Sequence, residues 1–306
     1  SSTTAASTSP PPTRQPPPPC PKPNAGNPID LYTGMEMPST SGLSCGGLTP
    51  MEIGMSYNPV DAFQGRSGLN GSIGEGWVLD NDVVLAHVSG DLKRILLPPN
   101  ERVNFNPSIP GSSSFVSTDP RFLGAVLSPV GSTGNWDLVF KDGRKWQFGM
   151  TDTGILSASF LVETTDIKGN TIQISRLPNK RISTIGNANR SYTMRYGSNG
   201  FVDEIRDGAN RSLSMTYNAN KRMETLTDEI GRVTRYTYVG DDEFPAEPLC
   251  TAFEQTYGQR IKTITYSHSS TPTENFHSPS RRVIRQTGFD GREFKFAYKV
   301  TGACVT

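Results

Sequence analysis

Long apolar runs are missing from this 306-residue chain. No stretch near 18 residues is continuously apolar, which argues against a membrane-spanning helix. No window of about 12 residues sustains an apolar i, i+3, i+4, i+7 pattern free of glycine and proline, so long amphipathic helices are not expected. Charge of one sign is equally scarce. Thirty basic residues face 29 acidic ones for a net charge of +1, which gives neither the footprint of a nucleic-acid binder nor a polybasic surface for anionic lipid. The nearest thing to a basic cluster, Arg281, Arg282 and Arg285 with Lys295 and Lys299 beyond, reads as solvated strand and turn positions.

Histidine is rarer still. With only His87, His268 and His277 present, a catalytic dyad or triad has few possible bases. His87 reads as a packed strand residue, and His268 and His277 lack a third metal ligand at a suitable spacing. The run Gly71 to Gly76 has the wrong spacing for a dinucleotide turn and reads as a β-turn. Asp241, Asp242 and Glu243 are consecutive, without the alternation and the glycine of a calcium loop. No catalytic, cofactor-binding or metal residue is assigned, no cofactor is expected, and the chain is read as non-enzymatic. The four cysteines, Cys20, Cys45, Cys250 and Cys304, match neither CxxC nor CxxH, which disfavours zinc. Their even number and the Ser/Thr/Pro-rich start fit an oxidising, extracellular or cell-surface setting. Cys20 with Cys45 and Cys250 with Cys304 are candidate disulfides; a bridge between copies through Cys20 or Cys304, or unpaired thiols, are the alternatives.

What the chain does have is glycine (30) and proline (24), which suits short strands and tight turns. Residues 1–24 form a Pro-rich tail expected to be extended. Residues 25–155 read as an N-terminal β region, with short strands joined by Gly- and Pro-rich turns over 25–110. The clearest hairpin lies at 136–148, where Lys141-Asp142-Gly143-Arg144 is flanked by Leu138, Phe140, Trp146 and Phe148. Residues 106–134 read as a long loop with little structure of its own. From 156 to 306 the chain repeats. Gly169, Asn189, Asn210 and Gly231 stand 20, 21 and 21 residues apart, a period typical of stacked supersecondary units. Tyr196, Tyr217 and Tyr238 follow the last three at a fixed offset, and the aliphatics Ile185, Ile205 and Leu226 precede them. Tyr192, Met194 and Tyr196 alternate with Thr193 and Arg195, as a half-buried strand requires. Gly291 and Tyr298 repeat the offset after an apparent loop insertion at 239–259. The expected fold is all-β: stacked antiparallel β-hairpins of about 21 residues.

Tyr236-Thr237-Tyr238, the Gly231-Arg232-Val233-Thr234 run and the repeated Asp before it resemble the YD repeat of the Rhs family. The residue after the tyrosine is Gly197, Asn218 or Val239, where the family pattern has Asp. Asn27-Pro28-Ile29-Asp30, Thr33-Gly34, Ser56-Tyr57-Asn58 and Gly74-Glu75-Gly76-Trp77 resemble, in order, the segment that precedes the repeats in Rhs proteins. The resemblance implies a spiral sheet of hairpins and, in long relatives, a shell around a toxin; the Asp-Pro-x-Gly and Leu motif of family self-cleavage is not found near the end of this chain. About five or six repeat-like units are too few to enclose a cargo. The expected function is therefore a secreted structural scaffold that self-associates into a filament or sheath, through strand addition between copies and tail docking. A shell-wall fragment of a larger Rhs or Tc-type toxin is the alternative. Expected partners are other copies, with carbohydrate or a toxin cargo as further candidates; nucleic acid and a membrane span are not expected.

Overall fold

The structure is a computed structural model and describes residues 24–25, 29–30, 35–46, 50–58, 72–98, 101–152, 157–239, 260–277, 282–297, 300–301 and 304–305. It is all-β: among these residues the sole helical element is a 3-10 turn, Pro120–Phe122. Three short strands, β1 (Asn24–Ala25), β2 (Ile29–Asp30) and β3 (Met35–Glu36), form a small antiparallel sheet. A second sheet follows, made of β4 (Ser39–Cys45), β5 (Met51–Tyr57) and β6 (Trp77–Leu79).

The next strands close on themselves. They are β7 (Val84–Ser89), β8 (Leu92–Leu97), β9 (Glu101–Pro107), β10 (Phe115–Val116), β11 (Val126–Pro129), β12 (Trp136–Val139), β13 (Lys145–Asp152) and β14 (Ala158–Thr165). Each pairs antiparallel with the next, and β14 returns to β7 through Ala158↔Ala86, Ser159↔Leu85 and Phe160↔Val84. Closure into an eight-stranded barrel removes the open edges an isolated sheet would leave. The expected hairpin at 136–148 is present as β12–β13, with Gly143 at φ 92° in its turn. The long loop expected over 106–134 is not what folds: β10, the 3-10 turn and β11 occupy it. Phe122 is the reason this polar stretch orders. It is buried against Phe105 and Phe140, each at 5.7 Å between ring centroids, and near Trp146 at 6.1 Å, while Asp119 caps the turn by accepting from the Arg121 N–H.

From β14 the sheet runs on as an antiparallel meander. Its strands are β15 (Thr171–Arg176), β16 (Ile182–Gly186), β17 (Ser191–Tyr196), β18 (Val202–Asp207), β19 (Ser212–Tyr217), β20 (Met223–Thr227), β21 (Val233–Val239), β22 (Arg260–Tyr266), β23 (Thr273–His277), β24 (Val283–Thr287) and β25 (Glu293–Lys295). Consecutive strands pair throughout. A last hairpin, β26 (Val300–Thr301) with β27 (Cys304–Val305), pairs with itself. The β4–β5–β6 sheet lies over one face of the meander, and a single apolar cluster containing Leu43, Ile53, Met55 and Trp77 runs into Ile205, Leu213 and Met215 of the meander and Leu127 and Phe148 of the barrel. The opposite face is polar, with cross-strand pairs such as Thr216 with Thr225 (2.7 Å) and Arg235 with Glu224 (3.2 Å).

Most turns of the meander share one geometry. In 177–181, 197–201, 207–211, 218–222 and 228–232 the first N–H donates to the fifth C=O, the fourth N–H donates to the first C=O, and the fourth residue has positive φ. This is a three-residue hairpin loop ending in a left-handed residue. Glycine fills that place at Gly200 and Gly231, but Lys180, Asn210 and Lys221 also adopt it, at 69°, 62° and 61°. For the lysines this costs about 1 kcal/mol each. Asn189, which the repeat spacing aligns with Asn210, is not such a residue: its turn closes one residue sooner, through Asn187 N–H to Arg190 C=O at 2.8 Å.

Candidate functional site

The recurring feature of the meander is a row of tyrosines. Tyr196, Tyr217 and Tyr238 lie toward the ends of β17, β19 and β21, and each hydroxyl donates to the backbone carbonyl of the residue that opens the strand before its own: Ile182 at 2.6 Å, Val202 at 2.5 Å and Met223 at 2.6 Å. Ile185, Ile205 and Leu226 are buried on the alternate strands. Burial pushes the Tyr196 phenol up to about 12 and raises Tyr217 and Tyr238 as well, so all three stay neutral donors at physiological pH. Tyr298 lies outside the described residues. Replacing Tyr217 by Phe removes one such bond and is expected to cost about 1 kcal/mol of unfolding free energy in a urea titration, with no change of fold.

Trp77 ties the covering sheet to this row. Its Nε1–H donates to the Tyr238 hydroxyl at 2.9 Å, and its ring meets Tyr236 edge-on at 4.9 Å and Tyr57 at 5.4 Å. Nearby, Gly74 sits at φ 91° so close to the Tyr217 ring and the Lys221 carbonyl that a Cβ would collide with both. Adjacent backbone bonds, Glu75 N–H to Lys221 C=O and Val202 N–H to Ser72 C=O at 2.9 Å each, complete the seam. Gly74 to Trp77, quoted above for their resemblance to a family lead-in, are therefore the residues that dock the meander.

The turn carboxylates act on their own backbone. Asp207 accepts the N–H groups of Ala209 and Arg211 at 2.9 Å, and Asp228 those of Ile230 and Arg232 at 3.1 and 2.8 Å. Burial pushes both carboxyls up, yet the backbone and guanidinium bonds of Arg211 and Arg232 outweigh it and hold them below the ordinary range. In Asp166 the Asn170 amide is the main lowering cause. A carboxyl lowered in the folded state contributes stability above its unfolded value, near 3.9, and loses it as pH falls through the folded value. The stability gap between wild type and Asp207→Asn, measured by urea midpoints, is therefore expected at pH 7 and to close as pH drops below about 4.

The polar candidates scatter. His87 Nε2 lies 3.0 Å from Ser159 Oγ and its ring lies tilted against Trp136 at 5.3 Å between centroids, at the seam that closes the barrel. Ser159 has no exposed surface, so its hydroxyl is out of reach of a substrate. Burial, then the Lys93 charge, push His87 down to about 4. His268 lies tilted against Tyr266 at 5.4 Å between ring centroids. His277 is pushed down to about 3 by burial and then by Arg260 and Lys262. No group of three or more His, Cys, Asp or Glu that could hold a metal occurs among the described residues. Asp241, Asp242, Glu243, Arg281 and Lys299 lie outside them. The basic cluster is not uniformly solvated: Arg282 is buried, Arg285 stacks on Phe276 with 3.6 Å to the ring centroid, and Lys295 is exposed. Of the disulfide candidates, Cys20 and Cys250 lie outside the described residues, while Cys45 ends β4 and Cys304 opens β27.

A polar groove of about 740 Å³ runs between the turns 187–190 and 207–211 and the end of β4, lined by Ser44, Asn187, Asn189, Arg190, Asp207 and Arg211 among others. Arg190 and Arg211 spend donors there on the Gly46 and Ser44 carbonyls.

No protein-family model matches the chain, and no curated protein does. Among solved structures, the N-terminal domain of effector protein SpvB from Salmonella typhimurium strain LT2 aligns with a TM-score of 0.32 at 10% identity, over 74% of this chain and 98% of that one. That likeness is too distant to carry fold or function across. Among the described residues no helix is long and apolar enough to cross a membrane.

Proposed function

We propose that this chain is a non-enzymatic structural scaffold of YD-type β-repeats, secreted or held at a cell surface, which self-associates by strand addition, with docking of the tail 1–24 as a second contact through which a filament or sheath could grow. The observation that carries the reading is the row of equivalent tyrosine-to-carbonyl bonds at Tyr196, Tyr217 and Tyr238. Side chains that recur at fixed intervals and spend their polar atoms on their own backbone serve shape. The enclosed hydroxyl of Ser159 favours the same view. Sedimentation velocity over a wide concentration range, with electron microscopy of the native particle, tests it. Concentration-dependent assembly is expected; a chain that stays monomeric when concentrated, with its tail protease-sensitive, overturns the reading. So does turnover of any substrate that is abolished by substituting His87, His268, His277 or Asp241.

A second reading, a stretch of shell wall in a larger Rhs or Tc-type toxin around a C-terminal effector, is favoured by the last strand of the meander, whose outer side could receive further hairpins. Carbohydrate is a candidate ligand for the groove beside Arg190 and Arg211.

A further inference from the structure

The outermost strand of the meander combines an unpaired edge with a self-complementary sequence. Among the described residues every backbone pairing of β25 is to β24, in the register Arg285↔Lys295, Gln286↔Phe294 and Thr287↔Glu293. The flanking bonds fix which groups face inward: Gly288 N–H donates to the Arg292 carbonyl at 2.7 Å and Phe296 N–H to the Ile284 carbonyl at 2.9 Å. Positions 292, 294 and 296 thus turn their backbone groups toward β24. Inward and outward residues alternate along an antiparallel strand, so the N–H and C=O groups of Glu293 and Lys295 point away from the sheet. All three residues of β25 are exposed. Phe294, opposite the buried Gln286, carries an aromatic ring on the core-side face with 37% of its surface uncovered.

The geometry points to a second copy of this chain as the occupant of that edge, joined β25 to β25 about a two-fold axis at Phe294. Three antiparallel self-registers let the outward groups bond. Centring on Glu293 sets two glutamates opposite each other, and centring on Lys295 sets two lysines opposite each other; both are unfavourable. Centring on Phe294 sets Glu293 opposite Lys295 of the second copy, and Lys295 opposite its Glu293. The two Phe294 side chains then meet at the non-hydrogen-bonded position, where cross-strand side chains approach most closely. Glu293 already binds cations on the outer face, Lys295 at 3.0 Å and Arg285 at 3.6 Å, with 39% of its side chain exposed.

This inference rests on the self-association reading and narrows it. The far end of the meander is β15, which pairs with β14 inside the closed barrel. The meander therefore offers one open edge among the described strands, and a two-fold contact through it closes as a pair. A filament would need a second contact elsewhere, such as the tail. A three-residue strand also makes a contact below the roughly 1,200 Å² of a stable interface, so the pair is weak and salt-sensitive.

Charge exchange tests the register. Glu293→Lys alone, or Lys295→Glu alone, sets like charges opposite at both pairs, and each is expected to weaken self-association in sedimentation velocity at least about tenfold. An equimolar mixture of the two variants should restore dimers, all of them mixed, because one then presents two lysines and the other two glutamates. Both sites are exposed, and unchanged circular dichroism confirms folding. Wild-type-like self-association in both variants, or a mixture no better than either alone, overturns the inference while leaving self-association standing. A wild-type chain that never associates overturns both.

Discussion

Trp77→Ala is expected to lower the unfolding free energy by about 3–5 kcal/mol, the range for deleting a buried aromatic side chain. Trp77 is 2% exposed and joins two layers distant in sequence, bonding a tyrosine 161 residues away. Removing it loses apolar burial, two ring contacts and the partner of the Tyr238 hydroxyl, which keeps its bond to Met223. A urea titration followed by tryptophan-independent circular dichroism reads the change. Because the β4–β5–β6 sheet covers the meander face that Trp77 anchors, ANS fluorescence should also rise at urea concentrations where wild type is still closed. A loss under 1 kcal/mol would mean that the covering sheet is held by other contacts.

Asp82→Ala should cost a similar amount, about 3–5 kcal/mol, for a different reason. Arg176 and Asp82 form an ion pair of 3.0 Å, with 1% and 8% of their side chains exposed. The guanidinium also donates to the carbonyls of Leu161 and Lys180 and lies over the Phe160 ring at 5.1 Å. It thereby ties the segment after β6 to β14 and to the first turn of the meander. Taking away the carboxylate leaves a buried cation without its counter-charge, and breaking a buried pair is far costlier than replacing both members. The double variant Asp82→Ala with Arg176→Met is therefore expected to recover much of the loss. A double variant as unstable as, or less stable than, Asp82→Ala alone would show that Arg176 works through its carbonyl bonds and not through charge.

Features with a local cause were legible in the sequence. Asp-Gly turns, the alternation of Tyr192, Met194 and Tyr196, and the interval between Tyr196, Tyr217 and Tyr238 each reflect neighbours along one strand or across one hairpin. The phase slipped by a residue at Asn189, because a two-residue loop there does the work of a three-residue one and an asparagine marks both. Barrel closure had no such signal. It depends on three residue pairs between β7 and β14, strands with more than 60 residues between them, and neither carries a periodic mark of its distant neighbour. The strands within 106–134 were hidden for a related reason: β10 is two residues long, too short for alternation, and is held by the barrel around it. The Trp77 seam and the Arg176–Asp82 pair are likewise contacts between distant segments. Of the candidate site, the tyrosines were readable as a row but not the carbonyls they bond. The open edge at β25 has no local sign either: β25 is an edge only because, among the described strands, it has one neighbour where every other strand of the meander has two.

Amide hydrogen exchange at several protein concentrations bears most directly on this picture of a rigid, covered meander with one associating edge. Slow exchange is expected across β15 to β24 at every concentration, while the amides of Glu293 and Lys295 should become slow only in concentrated solution. Fast exchange throughout the meander, or protection of those two amides that does not vary with concentration, would contradict it.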